Sequence, residues 1–114
     1  MMTSNAVIYH ILTPAEWENV RRADEYRPAS LALEGFIHLS TRAHVPGTLA
    51  RFFAGHTGLV MLAVEVARLK PELRYDAADG QLFPHLYGPL NLDAVVDVLQ
   101  IASGTDDPFS DSAE

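Results

Sequence analysis

The stretch GFIHLST, Gly35–Thr41, places a histidine inside what the local pattern makes a strand. Side chains alternate between the two faces of a strand, so Ile37 and Leu39 point one way and Phe36, His38 and Ser40 the other. LFPHLY, Leu82–Tyr87, repeats the grammar: Leu82 and Leu86 share a face, and Phe83, His85 and Tyr87 share the opposite one. Two strands thus each present an aromatic ring, a histidine and a hydroxyl along one side. Aromatic planes with a few hydrogen-bonding groups are the lining of a small-molecule pocket. Either histidine taken singly reads first as a hydrogen-bonded structural residue; the repetition, together with a helix beginning beside Ser40-Thr41, brings a site level with that reading.

Working outward, VIYHIL (Val7–Leu12) is a short apolar run of the kind buried strands use. Thr13-Pro14-Ala15-Glu16 supplies a capping box with proline at the first helical position, predicting a helix to about Ala23 that buries Trp17 and Val20. Glu25–Glu34 reads as loop with a short helical turn, and GFIHLS as a second strand entered through Gly35. Val45, Leu49, Phe52 and Phe53 recur at helical spacing, predicting a helix that starts just after Thr41, keeps Pro46 in its first turn and stops at Gly55. LVMLAVEV (Leu59–Val66) is a long buried strand. Leu73–Asp76 and Leu82–Tyr87 flank Asp79-Gly80 and form a hairpin, with Pro84 expected at an edge or a bulge because it cannot donate to a ladder. Asn91–Ile101 fits a helix or a strand; the preferred reading is a turn near Leu92 leading into a strand.

The fold class expected is α+β: a small single domain with a mixed or antiparallel sheet and two main helices over residues 1–102, followed by an acidic flexible tail over 103–114. The chain has 114 residues, 48% of them apolar and 20% charged, and no cysteine, which removes disulfides and thiolate metal sites. MMTSNAVIYHIL lacks a basic n-region and has too short an apolar run for a signal peptide, and no segment approaches a membrane span, so a cytoplasmic protein is expected. The net charge of −7 is lopsided: residues 1–75 hold all eight basic residues and seven acids, while residues 76–114 hold eight acids and no base. Such an acidic half repels a phosphate backbone, which excludes extended nucleic-acid binding. The basic side chains are nearly all arginines, suited to a small phosphate or carboxylate.

Other chemistry reads poorly. His10, His38 and His85 include no i, i+4 pair and no HExxH, so no metal is expected. Ser40 has no nucleophile-elbow glycines around it, and GHTG (Gly55–Gly58) is a turn rather than a phosphate loop. His44 and His56 read as solvated helix-end residues. A helix beginning beside Ser40-Thr41 offers free N–H groups, so an anionic ligand is expected there, held by Ser40, Thr41 and Arg27 or Arg42.

IYHIL, the tryptophan-bearing helix, SLALEGFIHLST and LFPHLYGPL together resemble the DUF952 family over roughly residues 7–101. That family is similar in turn to the ADP-ribosyltransferase-like fold, and most closely to the NAD-binding half of RNA 2′-phosphotransferases. Tyr9-His10 matches the strand that reads YHGT there, and Ile37-His38-Leu39-Ser40 matches the one that reads VHLS. The resemblance implies His10, His38 and Ser40 as ligand contacts for NAD or an ADP-ribose-like molecule; Phe83, His85 and Tyr87 face them by strand parity. Three departures accompany it. Ile11-Leu12-Thr13 follows His10 in place of Gly-Thr, no late-strand glutamate lies near Phe83–Tyr87, and the basic RNA-binding domain is missing. The reading is therefore a domain binding a nucleotide-like or phosphorylated small molecule in a histidine-lined cleft without efficient chemistry. The alternative is an ADP-ribosyltransferase-like enzyme acting on NAD, with His38 and His85 as catalytic proton carriers.

Overall fold

The computed structural model describes residues 6–56, 58–78 and 80–101. Eight strands and three α-helices follow in the order β1 (Val7–Leu12), α1 (Pro14–Val20), β2 (Glu25–Tyr26), α2 (Ala29–Glu34), β3 (Ile37–His38), α3 (Val45–Phe52), β4 (Leu59–Glu65), β5 (Glu72–Ala78), β6 (Gln81–Tyr87), β7 (Leu90–Asn91) and β8 (Val95–Ile101). Every strand pairing among them is antiparallel. The order β1-β4-β8 makes one three-stranded sheet, β3-β6-β5 a second, and β2-β7 a two-stranded ribbon. The architecture is α+β, as the sequence indicates. The expected acidic tail over 103–114 lies outside the described residues.

β4 explains the layering. Its six apolar residues from Leu59 to Val64 are all buried. Val60, Leu62 and Val64 join the main core with Ile8, Leu12, Ile37, Leu39 and Leu86. Leu59 and Met61, on the other face, pack with Ile11 and with Val45 and Leu49 of α3. A strand covered on both faces has no need of polar alternation, which is why LVMLAV is continuous.

The two sheets are stitched at one point. Tyr9 and Ser40 exchange backbone hydrogen bonds, each 2.8 Å, so β1 touches the segment leaving β3. His10 and His38 meet across this seam.

Several elements differ from expectation, each for a local reason. The capping box forms as read, with Thr13 and Glu16 bonded reciprocally, but α1 stops at Val20 rather than near Ala23. Residues 25–34 hold β2 and a true helix, α2, which ends on Gly35 in the left-handed conformation (φ 89°) that glycine adopts without cost. Three helices therefore replace two. GFIHLS contributes only Ile37–His38 as ladder plus the Ser40 bridge.

Pro84 is the cause of that brevity, and its place corrects the edge-or-bulge expectation. It sits buried in β6, the middle strand of its sheet. Its carbonyl accepts from the Leu39 N–H at 3.0 Å. In an antiparallel strand a residue's N–H and C=O point the same way, so the N–H that proline lacks faces Leu39 and not β5. The β5–β6 ladder is untouched from Glu72–Tyr87 to Ala78–Gln81, while pairing with β3 stops at His38.

The segment after Thr41 opens as a 3₁₀ turn, Arg42–His44, before α3 begins at Val45. Val45 and Leu49 are buried, but Phe52 is 67% exposed, so the predicted apolar stripe ends one turn early and Phe53 alone turns inward. The turn-then-strand reading of Asn91–Ile101 holds, with a 3₁₀ turn at Leu92–Ala94. Among the described residues no helix is long and apolar enough to cross a membrane.

Candidate functional site

The seam between the sheets opens into a cavity of about 740 Å³. His10, His38 and His85 all line it, as do Phe36 and Phe83. α2 contributes Ser30 and Glu34, α3 contributes Thr48, Arg51 and Phe52, and Phe53 follows just past its end. The β3–β6 register puts His85 opposite His38 at the same height of the ladder. Their rings lie edge to face with centroids 5.2 Å apart. Phe36 stacks on His85 at 4.1 Å and meets His38 edge-on at 4.9 Å. The parity argument from the two F-x-H strands is therefore realised in space.

Each histidine has a different set of partners. The Nδ1–H of His10 donates to the His38 carbonyl at 2.8 Å, and the Tyr26 hydroxyl stands 3.3 Å from Nε2. A carbonyl can only accept, which fixes the proton on Nδ1. Burial holds the His10 imidazole below the usual histidine range, so the ring is neutral and Nε2 accepts from Tyr26. Burial likewise pushes the Tyr26 phenol well above the usual tyrosine range, keeping it a donor. Both nitrogens of His10 are engaged inside the fold, and its effect is to pin the backbone of His38.

His85 is 8% exposed, and its Nδ1–H donates to Asp76 Oδ2 at 2.8 Å. The Tyr87 hydroxyl donates to the same oxygen at 2.5 Å. These two donors, Tyr87 first and His85 second, hold the Asp76 carboxyl below the usual carboxylate range. The arrangement also raises the Tyr87 phenol, with Asp76 the main cause. The Arg74 guanidinium lies 4.5 Å from the Tyr87 ring centroid and reinforces the anion. His38 is the open member, its side chain 53% exposed, and its Nε2–H donates to Glu34 Oε1 at 3.0 Å. Two imidazoles on one cavity wall are thus each backed by a carboxylate.

The remaining candidates divide. Ser40 lines the cavity, but its hydroxyl is buried and bonded to Thr48 Oγ1 at 2.9 Å. Phe83 lines it too, with the His44 ring packed on it at 4.6 Å. His44 is accordingly half-buried rather than solvated, and His56 alone of the two stays exposed. Thr41 and Tyr87 are not among the described residues lining the cavity; the Thr41 hydroxyl meets His44 Nδ1 at 3.1 Å. Arg27, proposed as an anion contact, is paired with Glu25 at 3.0 Å. No group of three or more histidine, aspartate or glutamate side chains that could hold a metal ion is present among the described residues.

Glu34 and Asp76 are the residues that sequence reasoning missed. Asp76 was within reach of it. With Ala78 opposite Gln81, the β5–β6 register sets Asp76 opposite Phe83 and diagonal to His85 on the same face. Glu34 carried no such signal, because its approach to His38 depends on the left-handed turn at Gly35.

The comparisons with known proteins agree with the sequence resemblance at the level of family. No curated protein matches the chain. Among solved structures it is similar to the crystal structure of protein CC0527 from Caulobacter crescentus, at 34% identity over 93% of this chain and 96% of that one, with a TM-score of 0.82. The solution NMR structure of the same protein gives 35% identity over 93% and 95%, with a TM-score of 0.77. Residues 11–98 match the family described as "Protein of unknown function (DUF952)". With both F-x-H strands and the β5–β6 hairpin inside that span, which covers well over half of the 114 residues, the chain belongs to the DUF952 family.

Proposed function

We propose that the seam cavity binds a small nucleotide-like or phosphorylated molecule, with His38 and His85 as the polar contacts and Phe36 and Phe83 as the aromatic wall. The observation that carries the reading is the convergence of His38 and His85, 5.2 Å apart, on one cavity of nucleotide-accommodating size. Arg51 supplies a cation on the α3 side of the same space. His10 acts at one remove, by holding His38 in place, and Ser40 and Thr48 form the polar floor.

The test is chemical-shift perturbation of the isotope-labelled protein by AMP, ADP-ribose, NAD and a sugar phosphate. Saturable shifts centred on Phe36, His38, Phe83 and His85 are expected. Shifts confined to another face, or none with any of the four, would end the proposal.

Transfer of ADP-ribose from NAD is the other reading the resemblance offers. Two carboxylates stand behind the histidines, which the sequence did not reveal. Against it, Ile11 lines the cavity beside His10, where a glycine would let backbone approach a nicotinamide. The expected result of a nicotinamide-release assay is no turnover.

A further inference from the structure

His38 and His85 are held by opposite nitrogens, and that asymmetry separates their roles. Asp76 takes the Nδ1–H of His85, so the neutral ring keeps its lone pair on Nε2. Glu34 takes the Nε2–H of His38, so Nδ1 is the nitrogen left for a ligand. His85 is enclosed, 8% exposed, under the Phe36 ring at 4.1 Å. His38 stands open to water with the Glu34 carboxylate beside it.

We infer that the two histidines form a base–acid pair that hydrolyses a phosphodiester, His85 Nε2 taking a proton and His38 Nδ1 giving one. The inference rests on the cleft reading above and goes beyond it by naming the reaction. In the step, water forms a bond to phosphorus while losing a proton to His85 Nε2. The bond from phosphorus to the leaving alkoxy oxygen breaks, its electron pair staying on that oxygen, which takes the Nδ1 proton of His38. The products are a phosphomonoester and an alcohol. The proton gained by His85 equals the one lost by His38, and exchange with solvent resets the pair.

Three observations select this chemistry. Among the described residues lining the cavity the Ser40 hydroxyl is buried against Thr48, and the chain has no cysteine; with both imidazoles assigned to proton transfer, the attacking group is water. Water attack on a poor leaving group needs both a base and an acid, and each is worth about 10²–10⁴-fold. The charge also discriminates. Glu34 and Asp76 stand behind the histidines, so a singly charged diester is repelled less than a doubly charged monoester. Asp76 and Glu34 are positioning residues in this scheme, acting through the rings.

The probes are bis(p-nitrophenyl) phosphate and 2′,3′-cyclic AMP, with p-nitrophenyl phosphate as the monoester control. The wild-type chain is expected to cleave the diesters and leave the monoester. His38→Asn and His85→Asn should each lower the rate by about 10²-fold or more. Glu34→Gln, at an exposed position that does not threaten folding, and Asp76→Asn should lower kcat while leaving KM in place. Nitrogen-15 spectra of His85 should also lose their fixed Nδ1-protonated signature in Asp76→Asn. Diester probes that shift the His38 and His85 resonances without being cleaved would overturn the reaction and leave the cleft reading intact. Probes that shift neither and are not cleaved would overturn the reaction, while the cleft reading stands or falls with AMP, ADP-ribose, NAD and the sugar phosphate. Cleavage unaffected by either histidine substitution would also overturn it.

Discussion

Asp76 accepts two hydrogen bonds on one oxygen, from Tyr87 and from His85, and this single residue couples the hairpin to the candidate site. His10 performs the corresponding task for β3, and its burial has a measurable consequence. Its folded-state pKa is depressed, so between the folded value and the ordinary value of about 6.5 the unfolded chain binds a proton that the folded chain refuses. Stability therefore falls as pH drops below about 6.5 and levels off once the folded ring also protonates. His10→Asn keeps a donor near the His38 carbonyl and removes the titration. Thermal melts from pH 7.5 down to 5 should show the wild type losing stability and the variant holding a flatter line; parallel lines would show that His10 is not the titrating group. At this scale the sequence was most legible where residue type and parity suffice, as for His38, His85, Phe36 and Phe83. It was silent on Glu34 because a glycine turn, not a helical repeat, delivers that carboxylate.

The elements show where local rules were overruled by pairing. Proline at position 84 reads as a breaker, yet it occupies a middle strand because its missing donor faces the short β3 side, where pairing stops, and not the β5 ladder. Phe52 fits a helical stripe, yet it lies exposed at the cavity rim, since α3 covers β4 with only Val45, Leu49 and the following Phe53. The base of the β5–β6 hairpin closes tightly. A Cβ at Gly88 would lie 2.7 Å from Cβ of Pro71, closer than real contacts allow. Gly88→Ala should therefore force the hairpin base apart at a cost of about 1–3 kcal/mol. Urea unfolding checks this, and an unchanged midpoint would show that the loop before β5 gives way freely. β1, β4, β8, the β5–β6 hairpin and the capping box of the first helix were legible because each is written in a run of adjacent residues, whereas the two-residue strands β2 and β7 were not. Which strand neighbours which was not, because the partners of β4 lie far away along the chain.

Across the whole molecule, β4 is the strand on which everything else leans. It is hydrogen-bonded on both edges, residues 60–65 to 7–12 of β1 and residues 59–64 to 95–101 of β8, and it is packed on both faces. The amides of Met61, Leu62 and Ala63 should exchange with solvent only through global unfolding, whereas those of α2 exchange through local opening. Native-state hydrogen exchange decides it; faster exchange at Leu62 than in β6 would contradict this ranking. The same placement governs the order of assembly. The β5–β6 hairpin needs only its own residues and can close in about 1–10 μs. β4 must wait for partners drawn from both ends of the fold, and long-range pairing of this kind is slow. During synthesis the apolar run Leu59–Val64 leaves the ribosome well ahead of Val95–Ile101, and until that strand arrives one edge of β4 stays bare and ready to pair with another chain.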